Sequence, residues 1–523
     1  MLQKKLIQIS NRTINKNKYL IFFLVISSFF FTFNYGFIGI FPIDSFLIYD
    51  AGYKITNGFH PFKDYWTITG PILDYLQYVF FKLFGINWTS YVLHAASINL
   101  LVTIIFFYFF LRIEIKPFYC FIYSLSVSIL AYPSIGTPFM DHHAVIFSSI
   151  SATYLFLAFK ENKGPYWFYS TIFLAASFLS KQTPSAYLLI VFIVFIFLYL
   201  ILFSKNNYKF LLFLAAGSLL SFLLFSSLLL INKIPIQNFL IQYIQFPLEI
   251  GKVRTFKTNF EFNNIFFQFK FLYFSIIPLL LVLFKLTMKK LNLEMKKDYF
   301  LLFYTFFVFG AFILGQLFTK NQILIFFLIP LFIGISHHFS YKYFNNKKVL
   351  QIFLVLLLIF ATIKFHLRFN ENKKFMELEN INLDLAVDAK NLDNSIKGVK
   401  WITPYSNDPK KEIKNLNDVK KIITSDSSKK IIISDYQILS SILNLKSAAP
   451  NKWFDSMSVP NKKNKYFKEY ETFFKNNLKK QKIETIYVYK IEKKKYLQEF
   501  LNKCVFNEDV EKNILKIKVK NCL

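Results

Sequence analysis

Between residues 19 and 366 the chain carries eleven apolar runs, most close to 20 residues long, joined by short polar connectors. They fall at 19–43, 89–111, 117–133, 143–159, 166–180, 184–203, 210–231, 269–284, 299–318, 322–340 and 349–366. A helix needs about 20 apolar residues to cross a bilayer core of roughly 30 Å, and a lipid-embedded backbone must satisfy its own hydrogen bonds. A soluble reading would have to hide 69 Phe in one core, far beyond what a water-soluble domain encloses. The expected fold is therefore an α-helical polytopic membrane protein with about eleven transmembrane helices. The run at 166–180 is short for a full crossing. The first run is long enough to span, and no cleavable signal pattern precedes it.

Charge gives the expected sidedness. Net charge is +31, which on its own invites a nucleic-acid partner. Its distribution argues against one. Residues 1–366 hold 30 Lys+Arg and 11 Asp+Glu, with the cations concentrated in alternate short connectors. With a cytoplasmic N-terminus the inward segments carry 19 Lys+Arg and the outward ones 9, as the positive-inside rule requires. An odd number of spans then puts residues 367–523 on the outer side. The expected location is the cytoplasmic (inner) membrane of a bacterium, with a periplasmic or extracellular C-terminal domain.

The acids are distributed the other way. Five of the eleven lie in the first two outward loops: Asp44, Asp50, Asp64, Asp74 and Asp141. The first loop, 44–88, opens as DSFLIYDAGYKITNGFHPFKDYWTITGPILD, and its Gly, Pro and aromatic content predicts an ordered loop. Its second half, PILDYLQYVFFKLFG, reads as an interfacial or re-entrant helix. The second loop ends in Asp141-His142-His143 at the lip of a span. The third is the turn SKQTP with Lys181 and Gln182. The fourth, about 232–268, contains Arg254, and the fifth holds Lys320. Each acid also has a plain structural reading, as a helix-start residue or a solvated loop charge. His337-His338 fall at an inward helix end and read as structural.

Residues 367–523 read as a soluble α/β domain. VKWITP, KIIISDY, TIYVYK and ILKIKV predict strands, and PKKEIKNLNDVKKII and KYFKEYETFFKNNLKKQ predict helices. No glycine-rich phosphate loop and no internal repeat are present, and PNKWFDSMSVP is an aromatic loop without an evident role. Cys504 and Cys522 flank an expected terminal strand pair and could form a disulfide in an oxidising compartment. Cys120 reads as inert packing. No Cys/His metal-ligand spacing occurs.

The first loop resembles the GT-C superfamily of membrane glycosyltransferases, specifically its protein-mannosyltransferase-like and aminoarabinose-transferase-like branch. Asp44 stands at the leading acid, Ala51 at the alanine and Gly58 at the glycine. Pro61, Phe62 and Asp64 form the Pro-aromatic-x-Asp element, and Gly70 and Pro71 open a helix that closes with Phe84 and Gly85. The match covers about residues 40–110, and hydropathy extends it to 366. Two elements depart from the pattern. Ser45 follows Asp44 where the family often has a second acid, and Gly70-Pro71 replaces the Lys-Pro-Pro of the aminoarabinose branch. A cation for lipid phosphate would then come from Lys181, Arg254 or Lys320.

The resemblance implies transfer of a sugar from a polyprenyl-phosphate donor to a lipid, glycan or protein acceptor at the outer face of the membrane. Asp44 is then expected to take the acceptor's proton in an inverting displacement. Asp141 would orient the acceptor or tune the charge. His142, His143, Lys181, Gln182, Arg254 and Lys320 are the candidates for binding phosphate or substrate. Gly58, Pro61, Asp64, Gly70 and Pro71 would shape the loop. The resemblance fixes no cofactor; a divalent cation between Asp44 and Asp141 is left open as an alternative. The partners expected are the lipid-linked sugar, its acceptor and membrane lipid, with no nucleic acid. Two competing readings are a transporter or flippase of lipid-linked sugars, which would want ionisable residues at mid-membrane, and a surface-polysaccharide ligase or polymerase.

Overall fold

The computed structural model describes residues 2–132, 136–204, 208–256, 261–290, 292–319, 322–344, 347–373, 378–379, 381–455, 457–489, 494–509, 513–520 and 522. Every apolar run of the sequence contains a helix in it. Among the described residues, nine helices are long and apolar enough to cross a membrane: Asn17–Gly36, Trp88–Arg112, Met140–Glu161, Ser185–Phe203, Lys209–Ile231, Lys270–Thr287, Leu293–Thr319, Leu324–Tyr343 and Lys348–Glu371. The chain is thus a helical protein of the multi-pass membrane type. Two of the eleven runs form shorter helices, Pro117–Leu130 with 14 residues and Gly164–Phe178 with 15. At about 1.5 Å per residue they measure roughly 21 and 22 Å, less than a bilayer core.

Helix Met140–Glu161 is the centre of the bundle: 94% of its most apolar stretch is buried. Small hydroxyl residues let its neighbour approach closely. Ser148 and Ser177 hydroxyls lie 2.6 Å apart, and Ser151 donates to the Ser170 carbonyl at 2.5 Å, the kind of polar contact that joins helices where no hydrophobic force does. Helices Ser185–Phe203 and Lys209–Ile231 are the opposite case. Only 22% and 11% of their apolar windows are buried, and Ile190, Phe197, Leu212 and Phe222 are exposed, as lipid-facing helices require.

The two ends of the bundle differ in chemistry. At one end Lys342 bridges Glu294 and Asp298 at 2.6 and 2.5 Å, Lys160 meets Glu114 at 3.6 Å and Lys285 donates to the Tyr343 carbonyl. These residues belong to the lysine-dense short connectors. The other end carries the first loop, Asp141, the 180–184 turn and the C-terminal domain. Trp88 at the start of its helix donates to the Gly36 carbonyl at 2.8 Å, so the first helix ends on this acid-bearing side.

The first apolar run breaks sooner than the sequence suggests. The helix stops at Gly36, and Pro42 begins a separate helix, Pro42–Thr56, with Asp44 in its first turn. Proline at the first helical position and an acid beside the positive helix start both favour this restart. The expected helix in the second half of the loop is Ile72–Phe84, burying Leu73, Asp74, Gln77 and Phe81 and exposing Val79, Leu83 and Phe84.

The C-terminal part has a four-stranded sheet in the order Lys430–Ser434, Thr485–Tyr489, Ile514–Lys518, Val505–Asp509. The first pair is parallel and crosses over through helix Phe467–Gln481; the others are antiparallel. VKWITP does not join this sheet: Lys400–Trp401 pairs with Val387–Asp388 in a separate short ladder. The helix expected over PKKEIKNLNDVKKII is Pro409–Ser425, with Leu416, Val419 and Ile423 buried. Cys504 and Cys522 are disulfide-bonded beside the terminal hairpin, and Cys120 is free and buried.

Candidate functional site

A cavity of about 950 Å³ opens at the acid-bearing end of the bundle. Asp44 lines it from the start of helix Pro42–Thr56, and Lys181 and Gln182 line it from the turn that joins two apolar helices. Tyr187 and Phe318 form a wall from the ends of helices Ser185–Phe203 and Leu293–Thr319, their rings 6.1 Å apart. Pro247, Leu248 and Ile250 add a second apolar wall from helix Phe246–Phe256. The C-terminal domain closes the space with Trp453, Asp455, Met457 and Ser458. Two cations, Lys181 and Lys252, and two acids, Asp44 and Asp455, therefore share a mainly apolar hollow.

Asp141, in the first turn of helix Met140–Glu161, is 6% exposed and forms an ion pair with Lys181. The pair ties the central helix to the cavity turn and fixes the lysine's position. Among the described residues no group of three or more His, Cys, Asp or Glu is placed to hold a metal ion. The Asp141 carboxylate is met instead by an ammonium group.

The turn 180–184 is clamped from two sides. Gly70 N donates to the Ser180 carbonyl at 3.1 Å and Ile72 N to the Leu179 carbonyl at 3.2 Å. A Cβ on Gly70 would stand 1.8 Å from the Leu179 oxygen, so only glycine permits this approach. Gln182 Nε2 donates to the carbonyls of Ile68 at 3.0 Å and Tyr243 at 2.7 Å. The expected substrate-binding amide is thus occupied as a brace between the first and fourth loops, although its residue lines the cavity.

The other loop-shaping candidates have these surroundings. Gly58 follows helix Pro42–Thr56 at φ +82°, which a side chain would resist. Pro61 bridges to Tyr65, and Asp64 accepts from His60 N at 2.9 Å and from Lys480 at 2.8 Å. Phe62 takes φ +67° without being glycine. Its carbonyl is held by Asn238 and Gln242, and its ring packs edge-on to Phe239 at 5.2 Å. These two hydrogen bonds and the ring contact hold a backbone shape that would otherwise be strained. Burial holds the His60 imidazole below its usual pKa, against the pull of Asp64.

The histidines lie one layer deeper. His142 is 3% exposed and His143 fully buried. Their rings pack on Tyr132, and His143 also meets His94 edge-on at 5.1 Å. His94 Nδ1 lies 3.0 Å from Gln77 Oε1. The two expected phosphate ligands thus belong to a buried polar seam joining helices, and the cavity wall is built from Lys181 and Lys252. Arg254 has its backbone in helix Phe246–Phe256, but its side chain is outside the described ones, and Lys320 lies outside the described residues.

Two acids that the sequence left without a task form a buried network. Asp50 pairs with Lys54 at 2.8 Å within one helix. Asp74 pairs with Lys452 of the C-terminal domain at 2.5 Å, the side chains being 0% and 1% exposed. Asp74 also accepts from Tyr65 at 2.8 Å, Lys452 also reaches Thr69 at 3.0 Å, and Lys54 donates to the Asn451 carbonyl at 2.7 Å. Burial raises the Asp50 pKa despite Lys54, and burial lowers that of Lys452 despite Asp74. Beside this network Trp66 N donates to the Pro450 carbonyl and Lys452 N to the Trp66 carbonyl, both at 2.9 Å. Lys452 was legible only as part of an aromatic loop, because Thr69 and Asp74 lie more than 370 positions away. Compared with known proteins, the chain matches no family model and no curated protein.

Proposed function

We propose that the chain is a glycosyltransferase that moves a sugar from a polyprenyl-phosphate donor to an acceptor hydroxyl at the outer face of the cytoplasmic membrane. One observation carries the reading: Asp44 and the Asp141-held Lys181 meet on one hollow at the end of apolar helices. Its greasy walls suit a prenyl chain, and its cations suit a phosphate. The lipid tail lies along the helices, with the phosphate beside Lys181 and the sugar beneath the C-terminal domain.

In the reaction the acceptor oxygen attacks the anomeric carbon from the face opposite the phosphate. The hydroxyl proton passes to the Asp44 carboxylate, the carbon–oxygen bond to phosphate breaks, and polyprenyl phosphate leaves with the electron pair. Lys181 offsets the charge that grows on the phosphate. Asp141 keeps the ammonium in place and does not itself take a proton. A base worth about 10²–10⁴-fold is the usual scale for this assistance.

The test uses the purified full chain in proteoliposomes with radiolabelled prenyl-phosphate hexoses and a cell-envelope extract as acceptor source. Label should enter the acceptor fraction with wild type. Asp44→Asn should lose at least a hundredfold in rate at unchanged donor affinity, and Lys181→Met should weaken donor binding as well. Unaltered turnover by Asp44→Asn would reject the base assignment. Absence of transfer by wild type from any donor would reject the reading.

A further inference from the structure

Trp453, Asp455, Met457 and Ser458 take no part in the proton transfer above, yet they form the cavity wall that the C-terminal domain supplies. Four of the five tryptophans, Trp66, Trp88, Trp167 and Trp401, are at most 3% exposed, and each packs against another aromatic ring. Trp453 differs. It is half-buried, lines the cavity, and has no aromatic ring beside it among the described residues.

Its place is set on both sides. Lys452 is anchored by Asp74 and Thr69, its amide by the Trp66 carbonyl, and its own carbonyl by Gln437 Nε2 at 2.7 Å. After it, Asp455 accepts from the amides of Met457 and Ser458 at 2.6 and 2.8 Å and from the Ser458 hydroxyl at 3.0 Å. That carboxylate holds its own turn. The indole is thus presented to the cavity from a rigid backbone, so little freedom is lost when a ligand covers it.

Resting on the reading above, we infer that Trp453 is the platform for the sugar ring of the lipid-linked donor. A sugar ring has one face of C–H groups and a rim of hydroxyls. An aromatic face that is only partly covered by protein buries the first and leaves the second free. The lipid tail and Lys181 fix the depth of the phosphate, so the next group outward meets the wall that Trp453 supplies.

The experiment measures binding by the full chain in lipid nanodiscs. The probes are a short-chain prenyl phosphate and the same lipid carrying glucose, mannose or galactose. In wild type the best hexosyl form should bind about tenfold tighter than the bare lipid, the scale expected for covering one ring face. Trp453→Ala should erase that advantage, and Trp453→Phe should keep most of it. All three proteins should bind bare prenyl phosphate equally, which also shows that the variants are folded. A hexosyl advantage that survives in Trp453→Ala, or its absence in wild type, overturns the inference. Failure of wild type to bind bare prenyl phosphate overturns the proposed function itself, and the inference with it.

Discussion

Replacing Lys452 by Met should loosen the C-terminal domain from the first loop while leaving the helices intact. Four buried charges meet there, Asp50, Lys54, Asp74 and Lys452, and their sum is zero. Removing one cation leaves a net negative charge where no water reaches Asp74. Breaking a buried pair in this way costs about 3–5 kcal/mol. Tyr65 still donates to Asp74 and offsets part of the loss, so the lower end applies. The local opening equilibrium should then shift by roughly a hundredfold. Hydrogen exchange reads it at the amides of Trp66 and Lys452, whose bonds cross the boundary. Both should exchange about a hundredfold faster in Lys452→Met, with peptides from helix Met140–Glu161 unchanged. The double variant Lys452→Met/Asp74→Asn restores neutrality and should regain most of the protection, a coupling that independent sites would not show. Exchange within threefold of wild type in the single variant, or no recovery in the double, would refute this account of what holds the domain in place.

Gly70→Ala should displace the 180–184 turn, because the new Cβ would stand 1.8 Å from a backbone oxygen; a thermal scan in detergent should show a lower midpoint, and donor binding should fall together with it. Lys373 lies just past the last span and is fully buried, and burial lowers its pKa from 10.5 to about 7. Above pH 7 the folded chain gives up a proton that the unfolded chain keeps until pH 10.5, so this group's contribution to stability rises with pH. Lys373→Met should therefore gain more over wild type at pH 6 than at pH 9, measured as the difference in unfolding midpoint at each pH.

Much of the fold was legible because it rests on local pattern. The apolar runs, the alternation of basic connectors, and the strands at 430–434 and 485–489 each declare themselves within a few residues. The early stop at Gly36 was hidden because FIGIFPI, residues 37–43, continues the apolar run after the helix has ended. Strand Val505–Asp509 was expected only as the partner in the terminal pair between Cys504 and Cys522, because it lies at the sheet edge, mostly exposed, and so lacks an apolar alternation of its own. At the site, the loop acids and the cation in SKQTP could be named from the sequence. That Lys181 and Asp141 form a pair could not, and neither could the bond from Asp74 to Lys452, because both depend on packing between distant segments. Gln182 and His142-His143 show the limit of reading residue type alone: donors of the right kind were already bound to backbone or buried in a helix seam.

The most direct test of the account is a comparison of surface glycans in cells that lack the gene and are complemented with either wild type or Asp44→Asn at equal membrane levels. The account predicts that one glycan modification disappears on deletion, returns with wild type and stays absent with Asp44→Asn, while its lipid-linked sugar accumulates. Full restoration by Asp44→Asn would contradict it.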